Sequence, residues 1–354
     1  MANLTYHEQK DIENIKRLRQ LIKELPPFCS DFFRGIEPRT STRTRIAYAY
    51  DLRIFFEFLR SNNSVVAAMG DNIPLSVLEQ LTVTDLEEYL DYLKCHPSEL
   101  GDDVINTERG IMRKASSLKS FYNYYFRNER IEKNPAALLR NPKLHEKEIV
   151  RLEIDEVAKL LDQVEEGDKL TDKQKVYHER TKVRDLAMMS LLLGTGIRVS
   201  ECVGLNINDV DLDTCGIKIY RKGGKEAVVY FSDEVAEVLE KYMEEREEIE
   251  PYPGHEDAFF LSMQRKRMSV RSVENLVKKY SKLVTPLKKI TPHKLRSTYG
   301  TSLYRETGDI YLVASVLGHN DVNTTRRHYA AQEDERRRSA RNVVRLREDF
   351  DNDK

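Results

Sequence analysis

Apolar residues recur at helical intervals over most of this chain, and that spacing constrains its fold more than any other feature. Between residues 6 and 24, Ile12, Ile15, Leu18, Leu21 and Ile22 line one helical face before Pro26-Pro27 ends the pattern. From Thr42 to Leu59 the positions Ile46, Tyr48, Leu52, Phe55, Phe56 and Leu59 repeat it, and Ser61-Asn62-Asn63-Ser64 closes the segment. A further helix is expected from Thr84, read as the N-cap because the acids that follow suit the positive end of a helix dipole, to Leu93. Another runs from about Arg109 to Arg127. Its aromatic run, Phe121-Tyr122-Asn123-Tyr124-Tyr125-Phe126, offers faces for stacking bases, but at helical spacing it reads as core.

A chain of 354 residues exceeds one ordinary compact core, so two domains are expected. The breaks fall at Asn134-Pro135 and Asn141-Pro142-Lys143, followed by a polar stretch to Lys147. They suggest a helical extension over 1–37, a helical domain over 38–142, a linker at 143–149 and a second domain from 150 to 354. In the second domain helices fit residues 154–164 and 182–193. Two β-rich runs, 216–220 and 227–231, follow, joined by Arg221-Lys222-Gly223-Gly224-Lys225 as a hairpin with a basic tip. Helices then fit 232–249, 270–283, 293–305 and 309–316. The expected class is mainly α, with an all-α N-terminal part and a mostly α second domain carrying a small antiparallel sheet.

Charge alone does not announce a partner. Lys and Arg number 58 against 59 Asp and Glu, a net of −1, whereas DNA-binding domains usually carry a basic excess. The distribution is less even than the sum, with basic clusters at 221–225, 265–267, 278–289 and 336–338 and an acidic one at 244–248. The four cysteines are scattered without metal-ligand spacing, so reduced thiols and no metal are expected. No apolar run approaches the roughly 20 residues that span a bilayer, and the first residues lack the character of a signal peptide, so a cytoplasmic location is expected.

Three segments carry groups suited to an anion. In Leu193-Gly194-Thr195-Gly196-Ile197-Arg198-Val199-Ser200-Glu201 a helix ends at a glycine turn and another starts near Arg198, with Glu201 one turn on to hold it. A helix start supplies backbone N–H groups, and a guanidinium fork matches two phosphate oxygens. In Thr291-Pro292-His293-Lys294-Leu295-Arg296, Thr291 reads as N-cap and Pro292 as first helical residue, which sets His293 and Arg296 on one face. Leu317-Gly318-His319 ends a helix, and Tyr329 follows ten residues later. Singly, each reads more readily as a surface ion pair, an ordinary capped helix, or a packing tyrosine.

As an ordered set they change meaning. The succession TGxRxSE, a hairpin-tip lysine, HxxR, LGH and a tyrosine resembles the catalytic domain of tyrosine recombinases, the phage-integrase and Xer group, over about residues 150–335. The N-terminal helices are more loosely similar to that family's core-binding, SAM-like domain. The resemblance implies catalytic roles for Arg198, Lys222, His293, Arg296, His319 and Tyr329, with Glu201 and Asp209 as supporting acids. It implies cleavage and rejoining of duplex DNA through a 3′-phosphotyrosyl link, without metal or nucleotide. It further implies two duplex target sites held by a homotetramer, with the segment Asp334 to Val344 docking into a neighbour. Arg43, Arg45, Arg113, Lys114 and Lys119 are the candidate DNA contacts of the first domain.

One departure stands out. Arg326-Arg327-His328 separates Thr325 from Tyr329 by one residue more than the family's usual pattern. Tyr329 is nonetheless the only tyrosine after Tyr311, and Tyr311 would precede LGH, against the family order. Three other readings stay open at this point: a DNA-binding module without catalysis, a type IB topoisomerase using similar groups, and a metal-dependent nuclease, which lacks clustered carboxylates. Target sequence, accessory proteins, the role of residues 1–37 and the choice between chromosome segregation and mobile-element integration are not legible.

Overall fold

The structure is a computed structural model that describes residues 5–97, 101–140, 150–221 and 224–318. The chain divides into two compact units, Met1–Lys147 and Glu148–Lys354.

The first unit is helical. Its elements are α1 (Tyr6–Lys23), α2 (Cys29–Gly35), α3 (Thr42–Asn62), the short α4 (Ser64–Ala68) and α5 (Val77–Gln80), and α6 (Val83–Tyr92). A small antiparallel hairpin of β1 (Cys95–Pro97) and β2 (Asp103–Ile105) then leads to α7 (Glu108–Arg127). Leu18, Leu21, Leu25, Phe32 and Phe33 from the segment expected as an extension are buried in the same core as Leu52, Phe55, Phe56 and Tyr89. Phe121, Tyr122 and Tyr125 of the aromatic run are buried there too, Phe121 edge-on to Phe32 at 5.1 Å between centroids.

The start of α6 differs from the expected one. The N-cap is Thr82, whose backbone N–H and hydroxyl donate to the Asp85 carboxylate at 2.6 and 2.7 Å, so Thr84 lies inside the helix. Both threonines have an acid three residues on. Only Thr82 also places apolar residues on either side of the box, Leu81 before the cap and Leu86 at the fourth helical position, and both join the core.

The second unit is mainly helical and carries a three-stranded sheet. It contains α8 (Ile154–Glu166), α9 (Asp172–His178), α10 (Lys182–Thr195), the six-residue α11 (Val199–Gly204), and β3 (Val210–Asp211), β4 (Gly216–Tyr220) and β5 (Glu226–Tyr230) in the order β3-β4-β5, all antiparallel. Then come α12 (Asp233–Glu247), α13 (Val270–Val284), α14 (Pro292–Thr307) and α15 (Ile310–Leu317). Ile217 and Ile219 point inward from β4, and α10 is almost wholly buried through Met188, Met189, Leu191 and Leu192. This burial makes α10 a fixed axis against which the ends of α11, α14 and α15 are set. Among the described residues no helix is long and apolar enough to cross a membrane.

Candidate active site

The end of α10 begins the site. Gly196 terminates the helix in the left-handed region at φ 63°, a conformation that disfavours any residue with a Cβ. The turn frees its carbonyl, which accepts from Arg296 Nη1 at 2.7 Å. Two residues later Arg198 is the N-cap of α11. Its backbone N–H donates to Glu201 Oε2 at 2.7 Å and its Nη1 donates to Glu201 Oε1 at 2.8 Å. Glu201 is 3% exposed and Arg198 40%, so the acid is the buried brace and the guanidinium keeps an open face. The third contact of Arg198 runs from Nη2 to the Gly318 carbonyl at 3.3 Å.

α14 supplies the second arginine. Thr291 is its N-cap by backbone conformation, without a side-chain hydrogen bond, and Pro292 opens the helix. His293 lies exposed in the first turn, and Arg296, one turn on, is only 5% exposed. The Arg296 fork bridges two helix ends, Nη1 to Gly196 O and Nη2 to Leu317 O. Both acceptors are carboxyl-terminal carbonyls, where helix dipoles favour a cation.

A third guanidinium was not singled out by the motifs. Arg221, at the end of β4, donates through Nη1 to Ser315 O at 3.2 Å and through Nη2 to Val316 O at 2.6 Å. Burial lowers its pKa, with nearby Glu201 acting upward and Arg198 downward. The carbonyls of residues 315–318 are thus gripped by Arg221, Arg296 and Arg198 together. Three guanidinium groups meet one carboxylate, Glu201, which leaves a positive excess suited to an anion. The signal for Arg221 in the sequence was only its place beside the hairpin lysine.

Asp209 does a different job. It closes a single 3-10 turn, Ile207–Asp209, by accepting from Asn206 N at 2.8 Å, and burial raises its pKa. The Asn206 side chain accepts in turn from Arg267 Nη2 at 2.5 Å, so this pair shapes the entry to β3.

In the first unit Arg43 is exposed at the start of α3. Arg113 forks onto the buried carboxylate of Asp51, with Nη2 to Oδ1 at 2.7 Å, and keeps a side chain 48% exposed. Arg45 is buried and donates to Glu37 at 2.8 Å, Lys114 is buried and donates to Asn106 at 2.7 Å, and half-buried Lys119 donates to the Leu139 carbonyl at 2.7 Å. These three side chains serve contacts within the protein. Lys222, His319, Tyr329 and the segment Asp334 to Val344 lie outside the described residues. No group of three His, Cys, Asp or Glu residues that could hold a metal occurs among the described residues.

The cluster lies within a region that is similar to known proteins. The sequence pattern of the Phage integrase family matches residues 150–336. A "Tyrosine recombinase XerC" of Caldanaerobacter subterraneus subsp. tengcongensis is 34% identical over 318 residues, covering 85% of this chain and 82% of the relative. A "Tyrosine recombinase XerS" of Lactococcus lactis subsp. cremoris is 31% identical over 340 residues, covering 89% and 93%. The fold matches that of the XerH site-specific recombinase bound to its difH substrate, with TM-score 0.59, 20% identity and coverage of 84% of this chain and 80% of that one. It also matches the Tn1549 transposon integrase in complex with circular intermediate DNA, with TM-score 0.62, 20% identity and coverage of 85% and 94%. The chain belongs to the phage integrase family. It is a tyrosine recombinase of the Xer-like kind, an enzyme of site-specific DNA recombination.

Proposed function

We propose that the end of α15 marks the seat of the scissile phosphate, and that Tyr329 attacks it. The observation that carries this reading is the convergence of Arg198 and Arg296, from helices far apart in sequence, on the carbonyls of residues 317 and 318. A phosphodiester resists attack because its anionic oxygens repel a nucleophile and its leaving alkoxide is poor. Arg198 and Arg296 bind the non-bridging oxygens and stabilise the pentacoordinate transition state, and His319 adds a hydrogen bond. Tyr329, whose phenol has an ordinary pKa of about 10, loses its proton during attack, and His293 is the base because imidazole titrates near neutrality.

As the Tyr329 oxygen bonds to phosphorus, the bond from phosphorus to the 5′-oxygen breaks and Lys222 protonates that oxygen. The 3′-phosphotyrosyl link keeps the energy of the broken bond, so the 5′-hydroxyl of a partner strand reseals it without a nucleotide. Glu201 holds Arg198 in place. Asp209 acts further out, by shaping the loop before the sheet.

Strand exchange requires two duplex sites held by several protomers, and the assembly on DNA is a homotetramer acting in the cytoplasm. The segment Asp334 to Val344 docks into a neighbour, so ending the chain after Glu333 leaves single-site binding and abolishes two-site complexes in a native gel. An unchanged two-site complex overturns that part. In the first unit Arg43 and Arg113 contact phosphates, while Arg45, Lys114 and Lys119 order the elements that carry them.

The test of the whole reading mixes wild type and Tyr329→Phe, in EDTA, with nicked duplex fragments from around the chain's own gene, followed by SDS denaturation. An SDS-resistant adduct with wild type alone is expected. Salt-sensitive binding without any adduct would assign the chain to the catalytically silent class.

A further inference from the structure

We propose that Arg221 is a positioning residue, a latch that fixes the base of the β4–β5 tip to the carboxyl end of α15 and so sets where Lys222 delivers its proton. The inference rests on the reading of Lys222 as the acid that protonates the departing 5′-oxygen.

The geometry is specific. The guanidinium of Arg221 spans two successive carbonyls, Ser315 O at 3.2 Å and Val316 O at 2.6 Å. Its Nε is buried without a hydrogen-bond partner among the described residues, while the side chain as a whole is half-buried. Across 94 and 95 residues of sequence, one side chain therefore ties the sheet to α15. Its own backbone is fixed from the other side, where Arg221 N donates to Lys225 O at 2.8 Å and closes the hairpin.

Gly318 completes the latch. A Cβ at that position would collide with the Arg221 guanidinium, and Gly318 also sits at φ 61°. The glycine of LGH is thus favoured by its backbone conformation, and any larger residue there would displace the Arg221 guanidinium from its carbonyls. Arg221 immediately precedes Lys222 and Gly318 immediately precedes His319, so the latch fixes the sequence neighbour of each.

A planar fork suits this task better than an ammonium. Two parallel N–H groups meet two carbonyls one residue apart, whereas a lysine places one nitrogen and satisfies one of them. Arg221 touches no reacting atom in this scheme; its effect on chemistry passes through Lys222. Misplacing a reacting group by about 1 Å costs on the order of 10²-fold in rate.

The experiment uses the nicked duplex on which the wild-type adduct forms, in two versions. One carries the ordinary bridging 5′-oxygen at the scissile phosphate. The other carries sulfur there, so that the bond from phosphorus to sulfur breaks and a thiolate leaves without needing a proton. Single-turnover adduct formation is timed for wild type, Arg221→Ala, Arg221→Lys and Lys222→Ala, alongside DNA affinity and thermal unfolding. If the latch acts through the acid, Arg221→Ala is slowed by about 10²-fold on the oxygen substrate and by no more than about threefold on the sulfur substrate, the same pattern as Lys222→Ala. Arg221→Lys falls between, with the same selectivity, and carries the test if the alanine variant does not fold. Rescue of Lys222→Ala but equal slowing of the Arg221 variants on both substrates, or no slowing at all, overturns the latch alone. Slowing of Lys222→Ala on both substrates overturns the acid assignment, and the latch as an aid to it.

Discussion

Replacing Arg296 by lysine tests both the carbonyl bridge seen in the structure and the phosphate contact proposed for this side chain. Arg296 is 5% exposed and bridges Gly196 O and Leu317 O, the carbonyl ends of α10 and α15. Lysine keeps the charge but places a single nitrogen, so one buried carbonyl loses its charged donor. A hydrogen bond to a charged group is worth about 1.5–3 kcal/mol. For a unit of the size of Glu148–Lys354 each kcal/mol moves Tm by about 2–4 °C, which predicts a fall of about 3–12 °C by differential scanning calorimetry. In the proposed reaction Arg296 also donates to a non-bridging oxygen of the phosphate, and lysine weakens that contact. Loss of one transition-state donor costs about 10²–10³-fold, read as the single-turnover rate of covalent adduct formation on nicked duplex. DNA affinity, spread over many phosphates, changes little. An unchanged Tm would refute the carbonyl bridge as part of the folded state, and an unchanged adduct rate would refute the phosphate role.

Two further substitutions probe the supports of the site. Gly196→Ala must place a Cβ at φ 63°, at about 1–2 kcal/mol, and 3.0 Å from Leu317 Cδ2 and closer still to the Tyr299 ring, at about 1–3 kcal/mol more. A loss of about 2–5 kcal/mol in urea unfolding is expected, and a loss below about 0.5 kcal/mol contradicts the packing described for that turn. Glu156 receives Lys288 Nζ at 2.6 and 2.7 Å, tying α8 to the loop before α14. Burial alone would raise the Glu156 carboxyl, but Lys288 and the Glu153 backbone N–H outweigh it and hold its pKa below the ordinary range. The stabilisation is therefore present above the unfolded carboxylate pKa of about 4.3 and fades as pH falls through the lower folded value. Wild type should exceed Glu156→Gln in urea midpoint near neutrality and converge with it in acid; a gap independent of pH would rule the linkage out.

How far the chain could be read from its sequence follows from the range of each interaction. Helical spacing is a local property, and α1, α3, α7, α10 and the β4–β5 hairpin lie where apolar periodicity placed them, within two residues at nearly every end. The start of α6 escaped because Thr84 too has an acid three residues on, whereas only Thr82 is flanked by the apolar pair Leu81 and Leu86 that joins the core. The pairing of Arg198 with Glu201 was legible for the same local reason, since three residues on a helix start face one another.

Residue types and their order along the chain were enough to point to a tyrosine recombinase, because the succession TGxRxSE, hairpin lysine, HxxR, LGH and tyrosine resembles that family's catalytic domain. What each side chain touches was decided only by tertiary structure. Arg45, Lys114 and Lys119 carry the charge of DNA contacts, yet their partners Glu37, Asn106 and the Leu139 carbonyl come from 8 to 20 residues away. Arg221 looked like one basic residue among several at a hairpin tip, and its acceptors lie more than 90 residues on. A charge in the sequence is free to face water, phosphate or a carbonyl. The fold determines which, because only folding brings the ends of α10, α11, β4, α14 and α15 into hydrogen-bonding distance.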